Sequence, residues 1–210
     1  MSGEAQQQVE LVVRTIAQTA VDNEKYFGDL DAVVGDGDFG YSMARGFEVV
    51  LADWDDIDRT DIATFLKKVA VTITGRIGGT SGPIWGTMFL RAATTIGDRS
   101  EVDGDTLVAA LRAATEGVKA RGKAELGDKT LLDALVPATD ALEEALRSGG
   151  DAAQAFATTA REKADATKTM QARRGRASYT GERSVGSVDA GATAVAVMAE
   201  QIAAGWATRR

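Results

Sequence analysis

The chain contains the stretch Thr60-Asp-Ile-Ala-Thr-Phe-Leu-Lys-Lys-Val-Ala-Val-Thr-Ile-Thr-Gly75, which has the pattern of an amphipathic helix. Its apolar residues recur at intervals of three and four and so share one helical face, and Thr60 or Asp61 can cap the helix N-terminus. The same periodicity recurs along the chain and predicts eight helices, near residues 5–23, 41–53, 61–75, 83–97, 105–121, 130–147, 151–173 and 189–207. We therefore expect an all-α fold.

Size and composition favour one ordinary globular domain. The chain has 210 residues, of which 44% are hydrophobic and 26% charged, so we assign residues 1–210 to a single domain with one core. The formal net charge of −7 argues against a nucleic-acid partner, because phosphates attract clustered Lys and Arg. The sequence has neither Cys nor His, which excludes thiolate and imidazole metal sites and His-dependent catalysis.

Targeting signals are not evident in the sequence. Residues 1–8 are polar and lack the basic and apolar regions of a signal peptide. No apolar run approaches the roughly 18 residues that a membrane span needs. We therefore expect a cytoplasmic protein that does not enter the membrane.

The connections between the predicted helices are of two kinds, and these alternate. The connections after the first, third, fifth and seventh helices are rich in glycine and cover residues 24–40, 76–82, 122–129 and 174–188, whereas the others are short. In an up-and-down antiparallel arrangement, alternate connections lie at the same end. The alternation therefore predicts that four distant segments form one site at one rim. The alternative is that these glycines only end helices and form turns.

The first glycine-rich loop contains Asp31-Ala-Val-Val-Gly-Asp36-Gly-Asp38-Phe-Gly40, in which three carboxylates lie within eight residues. Three close carboxylates repel one another unless a cation lies among them, and a few carboxylates with substrate phosphates are typical of a magnesium site. A calcium EF-hand is excluded, because neither Asp31 nor Asp36 is followed by Glu at the twelfth position of the loop. The simpler alternative is an Asp-Gly turn that caps the next helix.

The other loops carry groups that bind anions. The second loop places Thr80 and Ser81 at a helix N-terminus, whose free N–H groups attract phosphate, although an ordinary N-cap is the simpler interpretation. The third loop ends at Thr130, another possible cap. The segment 170–183 is basic, and its Arg side chains either contact phosphate or form a solvated surface run. The last helix begins near Asp189 with a cap or a further ligand contact.

Four motifs follow one another over nearly the whole chain. They are Leu30-Asp31…Val34-Gly35-Asp36-Gly37-Asp38…Gly40…Met43-Ala44-Arg45-Gly46-Phe47, Gly79-Thr80-Ser81-Gly82-Pro83…Gly86-Thr87…Phe89-Leu90, Gly127-Asp128-Lys129-Thr130…Asp133-Ala134-Leu135…Pro137-Ala138 and Gly175-Arg176-Ala177-Ser178-Tyr179…Gly181-Glu182-Arg183-Ser184…Gly186…Asp189…Gly191-Ala192. This series resembles the nucleotide-binding L subunit of dihydroxyacetone kinase, the DhaL family.

The resemblance implies an eight-helix antiparallel up-and-down barrel that binds ADP or ATP at one rim through two Mg²⁺ ions. It implies that Asp31, Asp36 and Asp38 hold the metal ions. It also implies a nucleotide site at Phe39, Gly40, Tyr41, Ser42, Thr80, Ser81, Gly122, Leu131, Arg176, Asp189, Ala190 and Gly191. Arg176 is expected to act in catalysis by stabilising the transferred phosphoryl group.

The resemblance further implies partner subunits. Dihydroxyacetone or a related small ketose would be bound covalently to a His of a separate K subunit, without which the L subunit is inactive. An M subunit recharges the bound ADP in phosphotransferase-linked systems, whereas free ATP exchanges in others. Self-association into a homo-oligomer is a further possibility.

Two departures from the family pattern bear on the site. Phe39 stands where the family usually has His, and Ala190 where it usually has Pro. The first change alters packing near the metal and phosphates and is consistent with a branch that acts on another ketose. The alternative function is a regulatory module that binds nucleotide without kinase turnover. A third interpretation is the nucleotide domain of a fatty-acid kinase system, which normally lies within a longer chain.

Overall fold

The computed structural model describes residues 3–208, which form nine α-helices and three short 3-10 helices and contain no β-strand. The α-helices are α1 (Glu4–Asp22), α2 (Glu24–Ala32), α3 (Asp38–Ala52), α4 (Ile62–Arg76), α5 (Ser81–Ile96), α6 (Gly104–Gly122), α7 (Leu132–Ser148), α8 (Ala152–Ala166) and α9 (Ala190–Ala207). The 3-10 helices cover Trp54–Asp56, Thr167–Thr169 and Arg176–Ser184. The predicted domain bounds of 1–210 extend two residues beyond the described part at each end.

Eight of these helices close into a ring. Helix α1 packs on α3, each helix from α3 to α8 packs on the next one, and α9 returns to pack on α1. Because short connections join most neighbours, successive helices run antiparallel. Helix α2 lies outside this cycle, packed on α3 with a smaller contact to α9. The predicted all-α antiparallel barrel of eight helices is confirmed, with α2 as an addition.

Helix α2 corrects one prediction, because residues 24–40 were expected to be a loop. It has nine residues, too few to be stable alone in water. Its fully buried side chain, Phe27, contacts the Phe39 ring at a centroid distance of 6.1 Å. Tertiary packing of one aromatic side chain therefore stabilises a helix that the periodicity does not reveal.

Helix α8 ends earlier than predicted, at Ala166 instead of near residue 173. The buried Thr167 hydroxyl donates a hydrogen bond to the Ala164 carbonyl and accepts one from the Asp189 N–H at 2.8 Å. Such side-chain bonds compete with the regular helical ladder. They tie the end of α8 to the start of α9 and leave residues 170–188 as a separate segment at the rim.

The interior of the ring combines small residues with a few large ones. Fully buried alanines on α7, α8 and α9 let these helices approach closely, and the large side chains of Phe47 on α3 and of Phe65 and Ile73 on α4 are fully buried in the same core. Within residues 3–208, no helix combines the length and the apolar character needed to cross a bilayer.

Candidate functional site

A cleft of about 440 Å³ opens at one rim of the ring. All four glycine-rich segments contribute to its lining, through Asp38, Thr80, Gly122 and Arg176 among others. The cleft thus lies where the α2–α3, α4–α5 and α6–α7 connections meet the segment between α8 and α9. The alternation of loop types explains this convergence, since these connections end at the same rim.

Three carboxylates, hereafter the acidic trio, lie together beside this cleft. One oxygen from each of Asp31, Asp36 and Asp38 is within 4.8 Å of the others. Gly37 has φ +77°, the left-handed conformation that favours glycine, and a Cβ at Gly35 would collide with the Asp31 carboxylate. Partial burial and then the charge of Asp31 raise the pKa of Asp38. The donor set consists of hard oxygen atoms only, so it fits Mg²⁺.

The guanidinium of Arg176 lies over the acidic trio. It contacts the Asp36 carboxylate through Nη1 and the Asp38 carboxylate at 3.2 Å through Nη2. All three side chains remain about half-exposed, so this ion pair is open to water and to ligands. A guanidinium fork in this place can exchange carboxylate oxygens for phosphate oxygens without moving far.

Two helix N-termini face the same cleft. Helix α5 begins at Ser81, and α9 begins after Asp189, whose carboxylate accepts a hydrogen bond from the Ala192 N–H at 2.7 Å. Their free N–H groups and positive dipole ends favour an anion. Although part of Asp189 faces the cleft, burial raises its pKa to about 7, and the charge of Asp133 adds to the shift. A cation bound nearby would lower this pKa again.

Apolar side chains, hereafter the apolar wall, also line the cleft. The apolar wall consists of Leu30, Val34, Phe39, Pro83, Ile84, Trp85, Val118, Ala124 and Leu131. Such a wall next to charged groups suits a ligand with a flat apolar part and an anionic part. Except for Phe39 and Leu131, these residues were not predicted as site residues. Ile84, Trp85 and Val118 lie within helices, where their spacing is that of core residues.

Comparison with known proteins places the chain in a family. The family described as DAK2 domain matches residues 33–204. The chain belongs to the DAK2 domain family. It is 41% identical over 182 residues, 85% of this chain and 87% of the relative, to the PEP-dependent dihydroxyacetone kinase ADP-binding subunit DhaL of Escherichia coli (strain K12). The family resemblance inferred from the motifs is therefore confirmed: this DAK2 domain is of the DhaL type.

Longer proteins contain a similar domain. L-erythrulose 1-kinase of Mycolicibacterium smegmatis is 38% identical over 200 residues, which are 94% of this chain and 35% of that protein. The crystal structure of the dihydroxyacetone kinase from C. freundii in complex with AMP-PNP and Mg²⁺ matches with a TM-score of 0.73 and 25% identity, over 94% of this chain and 33% of that one. The same helical fold thus occurs alone and as part of larger kinases.

Most of the predicted site residues of the DAK2 domain line the cleft or its acidic rim. Those in the cleft lining are Asp31, Asp38, Phe39, Thr80, Ser81, Gly122, Leu131, Arg176, Asp189, Ala190 and Gly191. Asp36 joins them through the acidic trio. The structure brings these residues together; their roles toward a ligand stay predictions.

Three predicted positions lie apart from the cleft lining. Tyr41 is exposed and stacks with the Arg45 guanidinium at 5.2 Å from its ring centroid. Ser42 lies beside Gly78, which itself lines the cleft. Gly40 faces α2, where a Cβ would collide with the Glu24 carbonyl. The glycine motif at this point therefore serves helix packing as well as the cleft.

Gly40→Ala should lower the free energy of unfolding by about 1–3 kcal/mol, because the added methyl group must push α2 away from α3. Gly75→Ala is the matched control, since a Cβ there meets no atom within 4 Å. That change within α4 should leave stability equal or raise it by up to about 1 kcal/mol. Chemical denaturation measures both values. Equal effects of the two substitutions would contradict the close α2–α3 approach.

Lys129, in the third motif, and Arg174, just before the fourth motif, line the cleft but were not among the predicted site residues. Lys129 is buried beside the cleft, and Arg174 Nε lies 3.2 Å from the Asp128 carboxylate. Lys129 belongs to the loop that ends at a possible helix cap, and Arg174 belongs to the basic segment 170–183. The left-handed backbone of Lys129, with φ +61°, is unusual for Lys, but no sequence pattern reports it.

Proposed function

We propose that this chain is the ADP- or ATP-binding subunit of a two-component kinase that phosphorylates dihydroxyacetone or a related small ketose held on a separate subunit. The observation that carries this proposal is the acidic trio, whose oxygens lie within 4.8 Å of one another beneath Arg176. The names of the relatives support it: one is an ADP-binding subunit, and one crystallised kinase holds AMP-PNP and Mg²⁺.

Each part of the cleft has a role in this proposal. Asp31, Asp36 and Asp38 would hold two Mg²⁺ ions, which supply neutralisation of phosphate charge when bound. The N-termini of α5 and α9 donate backbone hydrogen bonds to the phosphates, and the apolar wall receives the adenine ring. Arg176 leaves the carboxylates and stabilises the charge on the phosphoryl group during transfer. Positioning of the reactants and this charge stabilisation supply most of the rate acceleration.

The acceptor is proposed to come from a K-type subunit. The chain has no His, and the carboxylates that line the described cleft either belong to the acidic trio or, as with Asp189, cap a helix. The group that activates the ketose hydroxyl therefore belongs to the partner. An M-type phosphotransferase subunit would recharge ADP in the cleft, whereas a system without it would exchange ADP for ATP. The kinases for erythrulose among the relatives extend the candidate substrates to four-carbon ketoses.

Titration calorimetry of ADP tests the nucleotide site, first with Mg²⁺ and then with EDTA. Binding that requires Mg²⁺ is the expected result, and the absence of binding in both conditions would overturn the proposal. Reconstitution with a K-type subunit then tests turnover with dihydroxyacetone and with erythrulose. If ADP binds but neither ketose is phosphorylated with any K-type partner, the regulatory module is the better interpretation.

A further inference from the structure

Lys129 connects the third motif to the segment that carries the arginines. Its ammonium donates hydrogen bonds to the backbone carbonyls of Met170 at 3.1 Å, Ser187 at 2.7 Å and Ser184. The side chain is 2% exposed, although it lies beside the cleft. One buried cation therefore holds three points of residues 170–187, hereafter the arginine segment.

The hydrogen-bonding capacity of Lys129 is fully used by these contacts. An ammonium has three N–H donors, and three carbonyl oxygens accept them. Burial lowers the pKa of Lys129, while the charge of Asp189 opposes that shift. No donor is left for a ligand in the cleft, so Lys129 acts on the protein and not on the nucleotide.

The loop before α7 fixes the direction of Lys129. The buried Asp133 carboxylate accepts hydrogen bonds from the Gly127 N–H at 2.6 Å and the Thr130 N–H at 2.8 Å. These bonds hold Lys129 in its left-handed conformation, which is sterically unfavourable for a residue that has a Cβ. The strained conformation is maintained by its surroundings and turns the ammonium toward the arginine segment.

The arginine segment has little regular structure of its own. Between Met170 and Ser187 it contains only the 3-10 helix Arg176–Ser184, which is interrupted at Gly181. Tyr179 at its tip is 89% exposed. Besides Lys129, the third motif holds this segment through Asp128, whose carbonyl accepts a hydrogen bond from the Arg173 N–H at 2.9 Å. Its position over the acidic trio is therefore held by contacts with the third motif in addition to the ion pairs of Arg176 itself.

We propose that Lys129 is a positioning residue that tethers the arginine segment so that Arg176 lies over the acidic trio. The catalytic importance of this tether rests on the proposed function, since Arg176 acts on phosphate only if nucleotide binds. The tether itself does not rest on the proposed function, because it concerns only the position of the arginine segment. Loss of the ammonium leaves three carbonyls without their donor and frees the segment to move.

A nitroxide label at the segment tests the tether directly. The chain has no Cys, so Tyr179→Cys gives a single labelling position, and Lys67→Cys on α4 gives a reference label on the ring. Lys129→Met should mobilise the label at position 179 and leave the label at position 67 unchanged in electron paramagnetic resonance spectra. Lys129→Gln, which keeps two N–H donors, should have a smaller effect and provides a second variant if the Met variant does not fold.

Lys123→Met is the matched control, because Lys123 also has a positive φ of 50° in the same loop but is exposed. It should mobilise neither label. Magnesium-ADP binding should weaken on the order of tenfold in Lys129→Met and stay unchanged in Lys123→Met. An immobile label at position 179 in folded Lys129 variants, or equal mobilisation at both positions, would overturn the tether. If the native chain binds no ADP, the proposed function fails, whereas the label comparison still decides the tether.

Discussion

Asp36→Asn is expected to weaken the binding of magnesium-ADP by at least about a hundredfold while leaving the folding stability equal or slightly higher. Asn keeps the size of the side chain but removes one of three charges that lie within 4.8 Å of one another. The loss of charge weakens the attraction for a divalent cation and relieves repulsion between the remaining carboxylates. The ion pair with Arg176 is half-exposed, so its loss costs little stability.

Calorimetry and thermal melting measure the two effects separately. Asp29→Asn is the control, because Asp29 is an exposed carboxylate of α2 that pairs with Lys25 at 2.6 Å and lies outside the acidic trio. It should bind magnesium-ADP almost as tightly as the native chain. Native-like binding by the Asp36 variant would show that the acidic trio is not the metal site. An equal loss of magnesium-ADP affinity in both variants would mean that the overall charge of the protein, and not coordination by Asp36, determines binding.

Arg176→Lys should lower kcat roughly a thousandfold in a reconstituted kinase, with a change in ADP affinity of less than about tenfold. Lys keeps the positive charge but loses the planar fork with which Arg176 spans two carboxylates in the structure. Because the fork is proposed to engage the phosphoryl group only during transfer, the loss should appear in kcat more than in KM.

Steady-state kinetics with a K-type subunit, over a range of nucleotide concentrations, separates the two constants. Arg183→Lys is the control, since Arg183 is exposed in the same 3-10 helix and the structure shows no ion pair for it within residues 3–208. A rise in KM without a fall in kcat would mean that Arg176 only binds nucleotide. An unchanged kcat and KM would remove it from the mechanism.

The fold was predictable where periodicity and burial agree. Eight ring helices have apolar residues at helical spacing, and the alternation of glycine-rich and short connections reports their antiparallel order. Helix α2 was not predictable in this way, because Phe27 is its one buried side chain and a single buried residue does not produce a periodic apolar pattern. The end of α8 was placed too late, because the Thr167 hydroxyl bonds that end it depend on Asp189, distant in sequence.

The charged residues of the site were easier to predict from the sequence than the apolar residues that shape the cleft. The spacing of Asp31, Asp36 and Asp38 indicates a cation site without any knowledge of the fold, since glycines allow the three side chains to converge. The apolar wall was missed because Trp85, like other helical apolar residues, has the same sequence signature whether it faces a core or a cleft. Lys129 was missed because its partners are backbone carbonyls, which no side-chain pattern reveals.

The closed ring also fixes where the domain can be joined to other protein. Helix α9 begins beside the cleft, directly after its N-cap Asp189, and continues for 18 residues, roughly 27 Å, from Ala190 to Ala207. Helix α1 packs on α9, and the antiparallel alternation around the ring places Glu4 at the same far end. Further protein joined beyond Glu4 or Ala207 would therefore leave the mouth of the cleft open. This geometry is compatible with the presence of similar domains within longer kinases, because the attachment points lie away from the cleft.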